Sequence, residues 1–405
     1  MAVGTQEPGR LLAVKGIKLS AVASGIRYAD RLDLVLVELE AGSNTAGVFT
    51  QNAFCAAPVQ VAKLHLQQAN SRYFLINTGN ANAGTGESGK RDALDCCSAL
   101  ADFAGVAPNE VLPFSTGVIG EFLPTQKIMQ GIPTALDTLN DGNWDSAARG
   151  IMTTDTRPKA VSANLQWRGS EVNITGIAKG SGMIKPDMAT LLAFVFTDAD
   201  IDKDELNRML QQIVNRSFNR ITVDGDTSTN DCCLLVATGK SGVVVSESKQ
   251  EFYGQFMAKL DFVFKELATG IIKDAEGASK FMEIRVINGR DSQECLDVAY
   301  TVAESPLVKT ALFASDPNWG RILAAVGRAG LSELDINQLS IDLGDTRLVD
   351  GGTVAQSYTE SAGQAEMDKD EITVTVNLSR GNAAETVWTS DLSHDYIRIN
   401  AEYRT

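Results

Sequence analysis

The chain has 405 residues, 44% of them hydrophobic and 21% charged, which is enough apolar material for a large buried core. Lys and Arg number 36 against 51 Asp and Glu, so the net charge is −15 and the pI about 4.7, a field that repels nucleic-acid phosphates and anionic membrane surfaces. Two histidines, His65 and His394, leave the commonest general base near neutral pH scarce, and an enzyme built on this chain needs another base.

Met1 to Gly16 lacks a basic stretch leading into an apolar core. No apolar run approaches the roughly 18 residues of a membrane span, and a soluble, cytoplasmic protein is expected. Strand-like runs follow at Leu34 to Leu39 and Tyr73 to Asn77. Glu87 to Ala104 then spaces its apolar residues three and four apart, as an amphipathic helix does. Beyond it come strand-like Val111 to Ser115 and Leu191 to Thr197, helical Asp204 to Phe218, strand-like Cys233 to Ala237 and helical Glu251 to Ile272. Met282 to Ile287 reads as a strand, Ser305 to Ala314 and Gly320 to Arg328 as helices, and Ile372 to Val376 as a strand. This mixture predicts α and β layers packed on one another.

No repeat or Pro/Ser-rich linker divides the chain, yet charge is uneven. Residues 1–189 hold 16 Lys/Arg and 17 Asp/Glu (net −1), and residues 190–405 hold 20 and 34 (net −14). The six cysteines, Cys55, Cys96, Cys97, Cys232, Cys233 and Cys295, have neither zinc-ligand spacing nor a disulfide pattern and read as buried reduced thiols.

Three motifs invite chemistry. Gly84-Thr-Gly-Glu-Ser-Gly89-Lys90 satisfies a phosphate-loop pattern, but Arg91 stands where a hydroxyl should hold Mg²⁺, and a glycine-rich start to a helix near Glu87 is the plainer reading. Asp198, Asp200, Asp202 and Asp204 alternate like a calcium loop without its glycine or its last glutamate, so a solvated turn leading into a helix explains them better. Thr222 to Asp231 is dense in hydroxyls and carboxylates and suggests a loop holding polar groups near a site.

The most unusual passage is Gly176-Ile-Ala-Lys179-Gly-Ser-Gly182 through Met188-Ala189-Thr190, which runs into the apolar Leu191 to Phe196. On the plain reading Thr190 is the polar first residue of a buried strand. On a sharper one, a cut before Thr190 exposes an α-amine beside a hydroxyl, so nucleophile and base belong to one residue. An α-amine titrates near about 7.7–8.0 and accepts a hydroxyl proton at neutral pH, which answers the shortage of histidine. An acyl intermediate also needs oxyanion donors, and Phe114-Ser-Thr116-Gly117-Val-Ile-Gly120 offers a hydroxyl and a glycine that lets backbone approach closely, unless it is merely a tight turn.

The chain resembles the ornithine acetyltransferase family of arginine biosynthesis (ArgJ). The motifs are Asn77-Thr-Gly-Asn-Ala-Asn-Ala83, Ser115-Thr-Gly-Val-Ile-Gly120, Met152-Thr-Thr-Asp-Thr156, Ala178-Lys-Gly-Ser-Gly-Met183, Met188-Ala-Thr190, Asp224 to Asp231, Asp274-Ala-Glu-Gly-Ala-Ser279, Asp316-Pro-Asn-Trp-Gly-Arg321 and Ile399-Asn-Ala-Glu-Tyr-Arg-Thr405. The resemblance implies an α+β, αββα-type layered fold. It implies self-cleavage between Ala189 and Thr190 into chains 1–189 and 190–405 that share one core. It makes Thr190 the nucleophile, Thr116 and Gly117 the oxyanion hole, and Thr153, Lys179, Thr190, Glu276, Asn400 and Thr405 the substrate contacts. Lys179 then suits a substrate carboxylate and Glu276 an amine.

The implied activity is glutamate N-acetyltransferase, moving acetyl from N2-acetyl-L-ornithine to L-glutamate with no metal and no dissociable cofactor. Acetyl-CoA is an optional co-substrate, and the implied assembly is a heterotetramer of two alpha and two beta chains. A self-processing aminopeptidase, a nucleotide-binding switch at Gly84 to Lys90 and an acidic scaffold are the rival readings.

Overall fold

Successive side chains of a strand point to opposite faces, and along Leu34–Leu39 nearly every side chain is buried, which requires a packed layer on each side. The computed structural model describes residues 3–4, 8–185, 191–248 and 250–402. To residue 273 the elements are β1 (Ile17–Val22), β2 (Leu34–Leu39), β3 (Asn44–Phe49), α1 (Ala57–Gln68), β4 (Tyr73–Asn80), α2 (Gly86–Ala104), β5 (Val111–Val118), α3 (Thr125–Asp137), α4 (Trp144–Gly150), β6 (Lys159–Trp167), β7 (Ser170–Lys179), β8 (Leu192–Thr197), α5 (Lys203–Val214), β9 (Ile221–Thr222), β10 (Cys232–Ala237) and α6 (Gln250–Lys273). Beyond them lie β11 (Phe281–Gly289), α7 (Ser292–Ala303), α8 (Pro306–Phe313), α9 (Trp319–Gly327), β12 (Ser340–Leu343), β13 (Thr346–Asp350), β14 (Thr353–Val354), α10 (Glu360–Met367), β15 (Glu371–Asn377), β16 (Ala383–Ser390) and α11 (His394–Ala401).

The elements form two units that interleave along the chain. The larger takes Gln6–Asn219 and Thr227–Ile271; the smaller takes Met1–Thr5, Arg220–Asp226 and Ile272–Thr405.

In the larger unit one sheet has the order β1-β2-β4-β5 and a second β3-β10-β8-β7-β6. Val35, Phe74, Ile76 and Phe114 of the first pack in one buried cluster with Phe194, Phe196, Leu234 and Val236 of the second. Phe74–Phe114 and Phe114–Phe194 meet edge-on at 5.5 and 5.1 Å between ring centres, contacts worth about 0.5–1.5 kcal/mol each beyond burial. The alternate residues Leu34, Leu36 and Leu75 pack on Leu100 of α2 and Ile128 and Ile132 of α3. On the far side of the second sheet, Gly176 leaves room for Leu267 of α6, which a Cβ there would approach to 2.8 Å. The layers therefore run helix, sheet, sheet, helix, the expected αββα order. Strands β3, β6 and β7 precede Thr190 in the chain while β8 and β10 follow it, so one core draws on both sides of the predicted cut.

The smaller unit holds a sheet of order β14-β13-β12-β15-β11-β16-β9. Ile284, Val374, Val376 and Val387 of that sheet are buried with Cys295, Val298 and Val302 of α7.

Most expected elements occur within a residue or two of their predicted bounds. Helix α5 stops at Val214 rather than Phe218, because the Ser217 hydroxyl donates to Ile213 O (2.8 Å) and a tighter turn follows at Phe218–Arg220. The hairpin β6–β7 was not expected from the sequence pattern. Its turn places Arg168 and Gly169 at φ of 50° and 87°, a two-residue connection whose twist matches that of paired strands.

Candidate active site

Three strand ends in the larger unit gather several of the predicted residues. Lys179, last in β7, is paired with Leu192, first in β8, and Cys232, first in β10, lies in parallel register with the same Leu192. The Cys232 N–H donates to Leu191 O at 2.8 Å. The Lys179 ammonium in turn donates to Thr116 Oγ1, near the end of β5, at 3.3 Å. Two residues chosen from sequence for different roles, a charge for the substrate and an oxyanion donor, are thus in contact.

Gly117 lies against the neighbouring strand. It sits at φ +136°, and a Cβ there would lie 2.3 Å from the carbonyl carbon of Gly79 and 2.5 Å from Asn80 N. The close approach that requires glycine is to the backbone of β4. The Asn77–Ala83 motif braces this strand end: Ser115 Oγ donates to Asn77 Oδ1 (2.6 Å), and Asn77 Nδ2 to Asn80 O (2.9 Å). Asn230 adds Nδ2 bonds to Ser115 O (2.9 Å) and Ala81 O (2.6 Å).

Thr153 is held from two directions. Arg31 donates to its carbonyl at 2.9 Å, and its N–H donates to Asp155 Oδ2 at 2.9 Å. Asp155 is fully buried, and its Oδ1 accepts from Lys159 Nζ (2.5 Å) and from Gly180 N (2.8 Å), the residue after Lys179. Burial alone would raise the Asp155 carboxyl, but Lys159 and Lys179 beside it hold it well below the usual carboxylate range.

Asp231 behaves oppositely. It is 3% exposed, and burial pushes its carboxyl well above the usual range despite the Ser228 hydroxyl and the Lys179 charge. Its Oδ2 has no hydrogen-bond partner among the described residues. The sequence marks Thr222–Asp231 as a polar loop near a site but does not single out Asp231 or Asn230. Asp155 stands inside the Met152–Thr156 motif, where residue spacing does not set it apart.

In the smaller unit Glu276 Oε2 accepts from Asn400 Nδ2 at 2.8 Å, so two predicted substrate residues form one hydrogen-bonded pair. Their elements are fastened together. Ser393 caps α11 and donates to Gly277 O (2.6 Å), and Asp391 accepts from the N–H groups of Ser279 (2.9 Å) and Lys280 (3.1 Å). Gly277 is obligatory at φ +68°, since a Cβ there would lie 2.5 Å from Tyr396 N. The Tyr396 hydroxyl donates to Asp224 Oδ2 (3.2 Å), and burial with that carboxylate raises its pKa. Ala189, Thr190 and Thr405 lie outside the described residues.

The rival motifs find packing roles. Gly84–Lys90 is filled by its own side chains: Thr85 Oγ1 donates to Asn82 Oδ1 (2.8 Å), Asn82 Nδ2 to Gly89 O (2.8 Å), and α2 starts at Gly86. Asp202 caps α5 through Asp204 N (2.9 Å), as a turn leading into a helix should. The His65 ring meets Val111 O (2.8 Å), and His394 packs edge-on against Phe313. The cysteines are free thiols, five of them buried, and burial pushes Cys96 up to about 12. Among the described residues no helix is long and apolar enough to cross a membrane.

A model of the ArgJ family matches residues 18–405. The arginine biosynthesis bifunctional protein ArgJ of Psychrobacter arcticus is 54% identical over 407 residues, covering 100% of both chains. That of Pseudomonas fluorescens is 51% identical over 406 residues, again across 100% of both. Among solved structures, arginine biosynthesis bifunctional protein ArgJ from Bacillus halodurans is 36% identical with a TM-score of 0.48, over 50% of this chain and 95% of that one.

Proposed function

The chain belongs to the ArgJ family, and from that membership we propose that it moves acetyl from N2-acetyl-L-ornithine to L-glutamate through an acetyl ester on Thr190, after cutting itself between Ala189 and Thr190. It is an acetyltransferase of arginine biosynthesis. The observation that carries the site assignment is the 3.3 Å contact of Lys179 with Thr116, which brings a cation and a hydroxyl to the end of β7, across from the first residue of β8.

Self-cleavage begins when the Thr190 hydroxyl adds to the Ala189 carbonyl and the peptide C–N bond breaks. Water hydrolyses the resulting ester and leaves Thr190 with a free α-amine. In the transfer reaction that amine takes the hydroxyl proton as Oγ bonds to the acetyl carbon of the donor. The acetyl C–N bond breaks, and the proton passes to the departing ornithine amine. The α-amine of glutamate then attacks the ester and returns a proton to Oγ.

Thr116 and Gly117 supply the donors for the oxyanion. Lys179 answers the substrate α-carboxylate as a point charge, with Thr153 as a further contact. Glu276, Asn400 and Thr405 take the remaining substrate positions, Glu276 answering an amine. The reading includes direct acetylation of glutamate from acetyl-CoA, assembly as two alpha and two beta chains, and a cytoplasmic location.

Intact mass tests the central claim. Purified protein should appear as fragments of 189 and 216 residues (405 − 189 = 216), and N2-acetyl-L-ornithine alone should add one acetyl group to the larger. Thr190→Ala should remain one chain. Uncut wild-type protein that still transfers acetyl removes the mechanism.

A further inference from the structure

We propose that Asp231 is the counter-ion of the α-ammonium group that cleavage creates at Thr190, a positioning residue that acts through the reaction's base. The proposal rests on Thr190 being the nucleophile, as read above.

Strand pairing brings Asp231 to the right part of the chain. Cys232 is in register with Leu192 and donates to Leu191 O. Asp231 immediately precedes Cys232, and Leu191 immediately follows the position of the cut. On the opposite flank of β8, Lys179 pairs with the same Leu192.

The state of the carboxyl calls for an explanation. Buried polar atoms are almost always hydrogen-bonded, and a carboxyl oxygen left without a partner is costly. Asp231 is buried, its Oδ2 has no partner among the described residues, and desolvation favours its protonated form. The groups that bear on it are Ser228 of its own loop, Lys179 of β7 and the neighbouring thiol of Cys232. Lys179 is shared, since it also acts on Asp155 and donates to Thr116. Among the described residues no other cation bears on it.

Cleavage adds one. The new α-amine belongs to the residue joined to Leu191, and as an ammonium it is the donor that Oδ2 lacks. Asp231 then ionises by giving its proton to that amine, forming a carboxylate–ammonium pair. As a carboxylate it raises the basicity of the amine and fixes its direction. For acetyl transfer this ammonium first loses one proton to water; the free amine then takes the hydroxyl proton, and the ammonium so re-formed is held against the carboxylate until it passes a proton to the leaving amine.

Asp231→Asn tests the assignment, because an amide imitates the neutral acid but cannot ionise. Self-cleavage, followed by intact mass, should proceed within about threefold of the wild-type rate. In the processed variant the acid limb of the kcat–pH profile for acetyl transfer should move about one pH unit lower, and plateau kcat should fall about three- to tenfold, as a weaker base gives. An unmoved acid limb in processed Asp231→Asn overturns the proposal.

A second measurement needs no substitution at Asp231. The infrared difference spectrum of processed wild type against the Thr190→Ala precursor should show loss of a protonated-carboxyl band, and retention of that band overturns the proposal. Wild-type protein that never cuts itself refutes the Thr190 reading, and this proposal with it. A cut protein with an unmoved limb refutes the Asp231 assignment alone.

Discussion

Asp155 and Lys159 form a buried ion pair at 2.5 Å, with side chains 0% and 3% exposed, and the same carboxylate holds the N–H groups of Thr153 and Gly180. The stretch Thr153 to Lys159 is thereby tied to Gly180, the residue after β7. The charge is useful here only because its hydrogen bonds are complete, since a buried carboxylate with fewer partners would be protonated.

Asp155→Asn should therefore cost about 3–5 kcal/mol, because it leaves the Lys159 charge buried without its partner. The pH dependence has a definite sign. The folded carboxyl is held below its ordinary value, so its contribution is complete above the unfolded pKa of about 3.9 and is lost as pH falls through the depressed folded value. Urea unfolding of wild type and variant should differ equally at pH 5 and 7. The gap should narrow only below about pH 4, and a gap that narrows between 5 and 7 would show the carboxyl is not depressed.

Thr116→Val removes the hydroxyl while keeping the branched shape of a strand residue. If Thr116 stabilises the oxyanion, kcat for acetyl transfer should drop by about 10²–10³ with a much smaller change in KM. Thermal unfolding should shift only a few degrees, since one partly buried hydrogen bond to Lys179 is lost. Steady-state assays with both substrates varied decide it, and an unchanged kcat withdraws Thr116 from the oxyanion hole.

Side-chain pattern made the two-sheet core legible, because Leu34–Leu39 and Leu192–Thr197 are apolar on both faces and their period forces a layer on each side. The hairpin β6–β7 escaped because its partly exposed face carries Ser162, Asn164 and Asn173, and its turn uses Arg168 at positive φ in place of the usual Asn. Helix α3 escaped because Gly131 and Pro133 lie inside it. That glycine is needed where a Cβ would come within 2.5 Å of Ser24 Oγ. Within the site, Lys179 and Thr116 were visible as residue types beside glycines. Asp155 and Asp231 were not, because their roles depend on burial and on charges brought in from other strands, which spacing does not report.

The second acetyl donor gives a separable prediction. Relatives that match over their full length are named bifunctional proteins, and purified enzyme supplied with acetyl-CoA and glutamate, without acetylornithine, should form N-acetylglutamate. Thr190→Ala should abolish both this reaction and transfer from acetylornithine if one nucleophile serves both donors. Product from acetyl-CoA in the Thr190→Ala protein would place the second reaction at another site.

The smaller unit carries a charge whose balance runs the other way from that of Asp155. Lys309 is wholly buried, with its ammonium donating to Thr389 Oγ1 at 2.8 Å and to Ser390 O, directly before the Asp391 that fastens the Glu276 loop. Burial lowers its pKa to about 8, although Asp391, Asp224 and Glu304 pull it back up. Between about pH 8 and 10.5 the unfolded chain binds more protons at this residue than the folded one, so its contribution to stability rises with pH across that window, by about 3 kcal/mol in all. Buried tyrosines and cysteines, raised in the folded state, act against this trend, and the total stability does not isolate it. The difference from Lys309→Met does. The variant loses the donor to Thr389 and Ser390 at every pH, a constant cost of about 1–3 kcal/mol, while wild type alone gains as the lysine discharges. Unfolding free energies at about pH 7.5, 9 and 10 should therefore diverge in favour of wild type, and parallel curves would mean that the surrounding carboxylates keep Lys309 charged throughout.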